Sequence, residues 1–237
     1  MKTTIPSESI YIGDYDWHTG CFHFSFADYV DEGNDKFGVL KALNDFDLKP
    51  GSGFETHPHE EMEIISYCVE GELTHTDNMG NRNSLKRGYV QYLCAGSGIT
   101  HSEMNESPND SLRFIQIWIL PNKSSLTPTY HAKNLSKITQ MNKLHHVVSG
   151  EAMNGVIKIA QDANIYVAQL EKGKQLTLSN HHGRQSYLLC LEGIMAGNGF
   201  ELNSRDAMKW WGADQITWTA LEDSHLLMIE MAEDKQA

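Results

Sequence analysis

Two short runs of metal-ligating residues share one spacing, His57-Pro-His59 and His101-Ser-Glu103. In a β-strand, residues i and i+2 point to the same face, about 6.6 Å apart along the strand. Each run therefore directs two ligands to one side of a strand. Two such strands side by side would bring three imidazoles and one carboxylate together, a set that suits iron, zinc, copper, nickel or manganese and disfavours calcium. The alternative is that these are ordinary polar residues at strand ends.

The sequence around both runs has the character of short strands separated by turns. Turn residues cluster at Asn78-Met-Gly-Asn81, Lys86-Arg-Gly88 and Ser107-Pro-Asn-Asp110. Short strands at roughly ten-residue spacing predict an all-β sandwich or barrel. The strand-like segments are residues 10–12, 21–26, 37–43, 64–69, 89–93 and 112–120.

Both runs lie in glycine-led motifs that resemble the two motifs of the cupin superfamily. More narrowly, Ala95-Gly-Ser-Gly-Ile-Thr-His-Ser-Glu103 is similar to the second motif of the pirin family, which includes bacterial pirin-like proteins. Further matches are Phe24-Ser-Phe-Ala-Asp-Tyr29, His75-Thr-Asp77 and Gln116-Ile-Trp-Ile-Leu-Pro121. The resemblance is close from about residue 10 to about residue 130 and looser beyond.

The resemblance implies a fold and a ligand set. The fold would be an all-β bicupin, with two tandem double-stranded β-helix (jelly-roll) barrels. Residues 1–130 would form the N-terminal metal-binding domain, and residues 131–237 a connector and a degenerate C-terminal cupin domain. One divalent transition metal would bind to His57, His59, His101 and Glu103. Fe(II) is the first choice on resemblance, and Zn, Ni, Cu or Mn are alternatives.

The resemblance also implies an activity, because pirin-like proteins are associated with quercetin 2,3-dioxygenase activity. The substrates would be a small aromatic molecule, a flavonol such as quercetin, and O2. Glu103 would be a ligand and also the general base that takes the proton from the 3-hydroxyl. Phe54, Tyr92 and Ile99 are candidates for the pocket wall, although each would serve equally as core. The alternative function is a non-enzymatic, metal-dependent regulatory or binding protein with a protein partner.

Two further residues near the motifs, Glu63 and Cys94, could contribute to the site. On an unbroken strand Glu63 shares the face of the histidines but lies about 13 Å beyond His59. We therefore expect it behind the ligands or at the surface. The four cysteines lack a CxxC motif and predict reduced, buried thiols. Cys94 either borders the metal pocket, where it could support redox sensing, or is a small core residue.

A repeat suggests two copies of one β unit. Cys68-Val-Glu-Gly71 reappears 122 residues later as Cys190-Leu-Glu-Gly193, and Lys86-Arg-Gly88 meets Ser204-Arg-Asp206 at a similar offset. Residues 121–150 lose the strand alternation and predict a connector, in which His145 and His146 would be exposed.

Mapping the ligands across the repeat predicts a second barrel that has kept the fold and lost the metal. The two offsets carry His57 and His59 onto Ser179 and His181, and His101 and Glu103 onto Thr219 and Leu221, so one histidine survives. The alternative is an independent weak site formed by His181, His182 and His225.

Composition limits the class of protein. Hydrophobic content of 40% with 21% charged residues over 237 residues is typical of a globular chain with a substantial core. A formal charge of −12 disfavours direct binding to nucleic acid, which depends on phosphate neutralisation by Lys and Arg. The sequence contains no stretch of 18 apolar residues, so it predicts no membrane span. The N-terminus lacks the apolar core of a signal peptide. We therefore expect a cytoplasmic protein.

Overall fold

The computed structural model describes residues 1–135 and 140–234. It consists of β-strands and one 3-10 turn, Ser7–Ser9. The first eleven strands are β1 Lys2–Ile5, β2 Tyr11–Asp14, β3 His18–Phe22, β4 Leu40–Leu48, β5 Gly53–His59, β6 Glu63–Glu70, β7 Glu72–Asp77, β8 Arg82–Lys86, β9 Tyr89–Cys94, β10 Ile99–Met104 and β11 Leu112–Ile119. The other eleven are β12 Thr129–Asn134, β13 His145–Ser149, β14 Ile157–Lys158, β15 Ala163–Leu170, β16 Gln175–Asn180, β17 Arg184–Glu192, β18 Ile194–Gly197, β19 Phe200–Asn203, β20 Ala207–Trp211, β21 Asp214–Ala220 and β22 Ser224–Ala232. None of the described residues forms a helix that could cross a membrane.

The described residues divide into two compact units. The N-terminal unit lies within Tyr11–Lys137 and Ile159–Gln161, and the C-terminal unit takes in Met1–Ile10 and most of the chain after residue 138. These bounds differ from the predicted division at residue 130 in three places. Strand β1 pairs antiparallel with β20 of the C-terminal unit. The N-terminal unit continues past residue 130 through β12, which pairs with β9, and it also includes Ile159–Gln161.

Each unit contains one seven-stranded and one four-stranded sheet, as predicted for a bicupin jelly roll. In the N-terminal unit the strand orders are β12-β9-β6-β11-β4-β3-β2 and β5-β10-β7-β8. In the C-terminal unit they are β1-β20-β17-β22-β15-β13-β14 and β16-β21-β18-β19. The apolar core draws on both sheets, since Phe46 and Phe114 of the larger N-terminal sheet cluster with Leu73 and Leu85 of the smaller one.

The repeated Cys-x-Glu-Gly segment forms the same turn in both units. Cys68 Sγ donates to the Glu70 and Gly71 carbonyls, and Cys190 Sγ makes the matching bonds in the second copy. Gly71 and Gly193 have φ angles of +75° and +82°, and a Cβ on either would lie 2.4 Å from a carbonyl oxygen. Only glycine tolerates both conditions, which explains why this segment survives where the surrounding sequence has changed.

The predicted connector is more ordered than its sequence indicated. Residues 121–150 include β12 and β13, and residues 136–139 lie outside the described residues. The exposure expected of its two histidines was wrong. Both are partly buried: His145 Nε2 lies 2.9 Å from the Gln140 carbonyl, and His146 stacks on Tyr166.

Candidate metal centre

The two runs of predicted ligands lie on neighbouring strands, β5 and β10, of the small N-terminal sheet. The strands are antiparallel, and His57 is directly opposite His101. The ligand atoms of His57, His59 and His101 all lie within 4.8 Å of one another. The i, i+2 spacing therefore brings the three imidazoles together, as the sequence predicted.

The free nitrogens of these rings suit a metal ion. His59 Nε2 and His101 Nε2 are buried and have no hydrogen-bond partner among the described residues. His57 Nδ1 lies 2.7 Å from the Glu55 carbonyl, so this nitrogen donates and Nε2 keeps its lone pair. A buried imidazole nitrogen without a partner is costly. A transition metal at the centre of the cluster would remove that cost by accepting all three lone pairs.

Burial keeps the rings of His59 and His101 neutral, the form that binds metal. Desolvation, followed by repulsion from the neighbouring histidines, lowers the pKa of His59 to about 4 and that of His101 to about 3. The charge of Glu103 opposes the lowering at His59. At neutral pH both imidazoles are therefore ready to coordinate without releasing a proton.

Glu103 is fully buried but is not part of the cluster of ligand atoms within 4.8 Å. Its Oε1 accepts hydrogen bonds from Ser66 Oγ at 2.8 Å and Gln91 Nε2 at 2.7 Å. Its Oε2 accepts one from Gln116 Nε2. We call these three donors, Ser66, Gln91 and Gln116, the Glu103 cage. Because a carboxylate oxygen has two lone pairs, Oε2 can still accept a further partner.

Two aromatic side chains orient the amides of the Glu103 cage. Trp118 Nε1 donates to Gln116 Oε1 at 2.9 Å, and Tyr130 Oη donates to Gln91 Oε1 at 3.2 Å. Each amide is thereby fixed with its nitrogen toward Glu103. The sequence reasoning missed Gln91 and Gln116, although a polar residue in the middle of an otherwise apolar strand was a usable signal.

A second buried pair, His75 and Asp77, lies beside His101. His75 Nδ1 is 3.4 Å from His101 Nδ1, and His75 Nε2 is 3.0 Å from Asp77 Oδ2. Although burial opposes it, hydrogen bonds from His75 and Asn81 lower the pKa of Asp77. This pair has the same i, i+2 spacing as the predicted ligands, but in the sequence it was recognised only as a match to the pirin family and not as part of the site.

Glu63 and Cys94 are structural. Glu63 is buried, and its carboxylate accepts hydrogen bonds from the backbone N–H groups of Ala160 and Gln161 and from the Tyr92 hydroxyl. It therefore holds the returning segment Ile159–Gln161 and does not lie at the surface. Cys94 is buried, and burial raises its pKa, so the thiolate needed for redox sensing is disfavoured.

Of the three predicted pocket residues, one lines an open cavity. Phe54 packs edge-on against Trp17 and Phe46, and Tyr92 is buried against Glu63. Ile99 lines a cavity of about 350 Å³ beside the histidine cluster. The cavity wall is formed by Pro58, His59, Glu60, Asn78, Gly98, Ile99 and Thr100.

The C-terminal unit replaces most of the constellation with apolar side chains, and the position of His59 holds the buried Asn180. By strand register, the positions of Ser66, Gln91, Gln116 and Glu103 hold Leu188, Met208, Met228 and Trp218. The positions of His57 and His101 hold Leu178 and Ile216. All six apolar replacements belong to one buried hydrophobic cluster.

The equivalences predicted from the two sequence matches, Ser179, His181, Thr219 and Leu221, were wrong. The offset falls from 122 residues at Ser66 and Leu188 to 112 at Gln116 and Met228, because loops in the second copy are shorter. The three histidines of the alternative weak site have different environments. His181 and His182 are exposed, whereas His225 is buried and pairs with Glu192 at 3.1 Å.

Comparisons with known proteins agree with this architecture. The family model described as Pirin matches residues 6–119, and that of the quercetinase C-terminal cupin domain matches residues 146–231. A pirin-like protein of Caulobacter vibrioides is 36% identical over 228 residues, covering 96% of this chain and 98% of the relative. A quercetin 2,3-dioxygenase of Escherichia coli K12 is 35% identical, covering 91% and 90%.

Solved structures have the same fold. The bacterial pirin YhhW of Escherichia coli, in complex with nickel(II), superposes with a TM-score of 0.92 at 30% identity, covering 99% of this chain and 100% of that one. A quercetin 2,3-dioxygenase of Acinetobacter baumannii has a TM-score of 0.78 at 20% identity, covering 97% and 85%, which indicates the fold alone. With relatives of this identity matched over nearly their full length, the chain belongs to the pirin family of cupin proteins.

Proposed function

We propose that this protein is a metal-dependent dioxygenase that opens the ring of a flavonol such as quercetin with O2. The observation that carries the proposal is the cluster of three histidines, with unpartnered buried Nε2 atoms, beside a cavity of about 350 Å³. Relatives named quercetin 2,3-dioxygenase at about 35% identity support the reaction type. The proposal includes both substrates, the flavonol and O2, and a cytoplasmic location.

His57, His59 and His101 would hold the metal, and Glu103 would complete the set through Oε2, which has one hydrogen bond and a remaining lone pair. Four such ligands leave two positions open on an octahedral ion. Fe(II) remains the first choice, and the nickel(II) complex of YhhW indicates that a site of this family accepts other divalent ions.

When bound, the metal supplies Lewis-acid and redox chemistry for the reaction of a phenolate with O2. The residues of the chain supply the rest. Because Oε2 has a single lone pair left, Glu103 would release the metal as it takes the proton of the substrate's 3-hydroxyl at Oε2, and the Glu103 cage keeps that carboxylate in place while it does so. Ile99 offers an apolar wall and Asn78 an amide, which together suit a planar molecule with hydroxyl groups.

The experiment that tests the proposal is oxygen uptake with flavonols by protein purified without an affinity tag and loaded with one metal at a time. Turnover that scales with bound metal supports the enzyme. Metal binding without oxygen uptake for any flavonol would overturn the proposal and favour a metal-dependent binding protein. In that case, capture of a protein partner that requires the metal is the expected activity.

A further inference from the structure

The hydrogen bonds around Asp77 determine which ring nitrogens carry protons. Asp77 Oδ1 accepts the backbone N–H groups of Met79 and Asn81, both at 3.0 Å. Asp77 Oδ2 faces His75 Nε2 at 3.0 Å. An ionised carboxylate only accepts, so His75 Nε2 must donate. In a neutral imidazole the other nitrogen is then an acceptor, and His75 Nδ1 therefore presents a lone pair to its neighbour.

That lone pair faces His101. The two Nδ1 atoms are 3.4 Å apart, and two lone pairs at that distance would repel each other. His101 must therefore carry its proton on Nδ1, which leaves the lone pair of Nε2 directed into the histidine cluster. Tyr130 stacks on His75 with ring centroids 4.3 Å apart and planes inclined by 11°. This contact fixes the plane of the His75 ring, so that its two nitrogens stay aligned with Asp77 Oδ2 on one side and His101 Nδ1 on the other.

We infer that His75 and Asp77 are positioning residues for the metal centre, because they fix His101 in the tautomer that binds metal through Nε2. The inference rests on the proposed metal site but not on the proposed substrate. Partners behind a ligand that set its tautomer and orientation typically contribute about 10- to 100-fold to metal affinity. Both side chains are buried, with Asp77 7% exposed and His75 fully covered, so water is a poor substitute for either.

The substitution Asp77→Asn tests whether the hydrogen bonds from Asp77 through His75 set the tautomer of His101. Two backbone N–H groups, of Met79 and Asn81, and the Asn81 side-chain amide donate to Oδ1 and would keep an oxygen there. The amide nitrogen would then face His75 Nε2, and the Asn81 amide would lose its bond at the Oδ2 position. His75 would then carry its proton on Nδ1 and force His101 to the opposite tautomer, with Nε2 protonated and blocked. Asp206→Asn is the matched control. Asp206 is another buried aspartate, 7% exposed, that accepts backbone N–H groups in the C-terminal unit.

The experiment uses the full chain with ¹⁵N-labelled histidines, loaded with zinc because zinc is diamagnetic. The expected NMR result is a proton on His101 Nδ1 and a scalar coupling from that nitrogen to His75 Nδ1 across the hydrogen bond. In competition with a chelator, Asp77→Asn should bind zinc about 10- to 100-fold more weakly, and Asp206→Asn should bind it as the wild type does.

A His101 proton on Nε2, or the absence of the coupling in the zinc-loaded wild type, would overturn the inference even if Asp77→Asn failed to fold. Wild-type zinc affinity in a folded Asp77→Asn variant would also overturn it. Because the readouts are a tautomer and a metal affinity, a wild type that binds zinc but consumes no oxygen would overturn the proposed activity and leave this inference intact.

Discussion

His57 and His101 lie directly opposite each other on antiparallel strands, with ring centroids 4.6 Å apart. The register of the two strands shifts between His101 and Glu103, so that Glu103 pairs with Phe54. This irregularity separates the roles of two residues on one strand. His101 joins the histidine cluster, and Glu103 lies in a hydrogen-bonded cage beside it.

Replacing a clustered histidine should remove the metal without unfolding the barrel. In His101→Ala the remaining ligands lose their common geometry, so bound metal should fall below one tenth of the wild-type content. Stability should decrease only by the lost binding energy, because the apolar core between the sheets is untouched. Elemental analysis and thermal unfolding check this result. The control is His131→Ala, an exposed histidine, and wild-type metal content in His101→Ala would contradict the expectation.

The two buried glutamates should respond differently to the same substitution. In Glu103→Gln the new amide nitrogen cannot accept the hydrogen bonds of the Glu103 cage. A buried donor left without an acceptor should lower the free energy of unfolding by about 1–3 kcal/mol. The variant should retain some metal and lose most turnover per bound metal, because an amide cannot take the substrate proton. Glu63→Gln should also lower the free energy of unfolding, since Glu63 accepts two backbone N–H groups.

Turnover per bound metal separates these two glutamates. Glu63→Gln should keep the wild-type value, because its carboxylate holds the segment Ile159–Gln161 and not the site. If Glu103→Gln instead turned over flavonol at the wild-type rate per metal, Glu103 would not be the base.

Acid should destabilise the metal-free protein through its buried histidines. The pKa of His59 is lowered to about 4 in the folded protein, against about 6.5 in an unfolded chain. Between these values the unfolded state binds more protons, so the free energy of unfolding falls as the pH falls from about 6.5 towards about 4. Urea unfolding of chelator-treated wild type and His59→Asn measures this contribution. As the pH falls from 7 to 5, the free energy of unfolding of the variant should rise relative to that of the wild type. A difference that does not change with pH would contradict the lowered pKa of His59.

The C-terminal unit should fold around apolar residues and contribute no metal. Trp218 is fully buried at the position equivalent to Glu103. Trp218→Ala should cost about 3–5 kcal/mol through the cavity that it leaves. The metal content should nevertheless stay at one ion per folded chain. A wild-type stoichiometry of two ions per chain would show that the second unit has a site of its own.

Much of the fold and the histidine cluster could be predicted from the sequence, because strand geometry turns an i, i+2 spacing into a shared face. The glycine of the Cys-x-Glu-Gly turn also marked the repeat correctly. The environment of Glu103 could not be predicted in this way. Its donors Ser66, Gln91 and Gln116 come from three strands of the other sheet, and sequence spacing carries no information on which strands become neighbours.

The wrong predictions have two physical origins. Mapping the ligands into the second copy took its offsets from two short sequence matches, whereas loops of different length shift the equivalent positions to Leu178, Ile216 and Trp218. Glu63 was judged by its distance along a strand from His59, but its partners Ala160 and Gln161 are almost a hundred residues away in the chain. The first error comes from differences in loop length, and the second comes from a contact between segments that are distant in sequence.

Quercetin-dependent oxygen uptake per bound metal, measured on tag-free protein loaded separately with Fe(II), Ni(II), Mn(II), Cu(II) and Zn(II), tests the central claim most directly. The account predicts uptake with at least one redox-active metal, in proportion to the metal bound by His57, His59 and His101, and none in His101→Ala. Full metal occupancy in the wild type without uptake for any of these ions would contradict the claim that the centre is a flavonol dioxygenase.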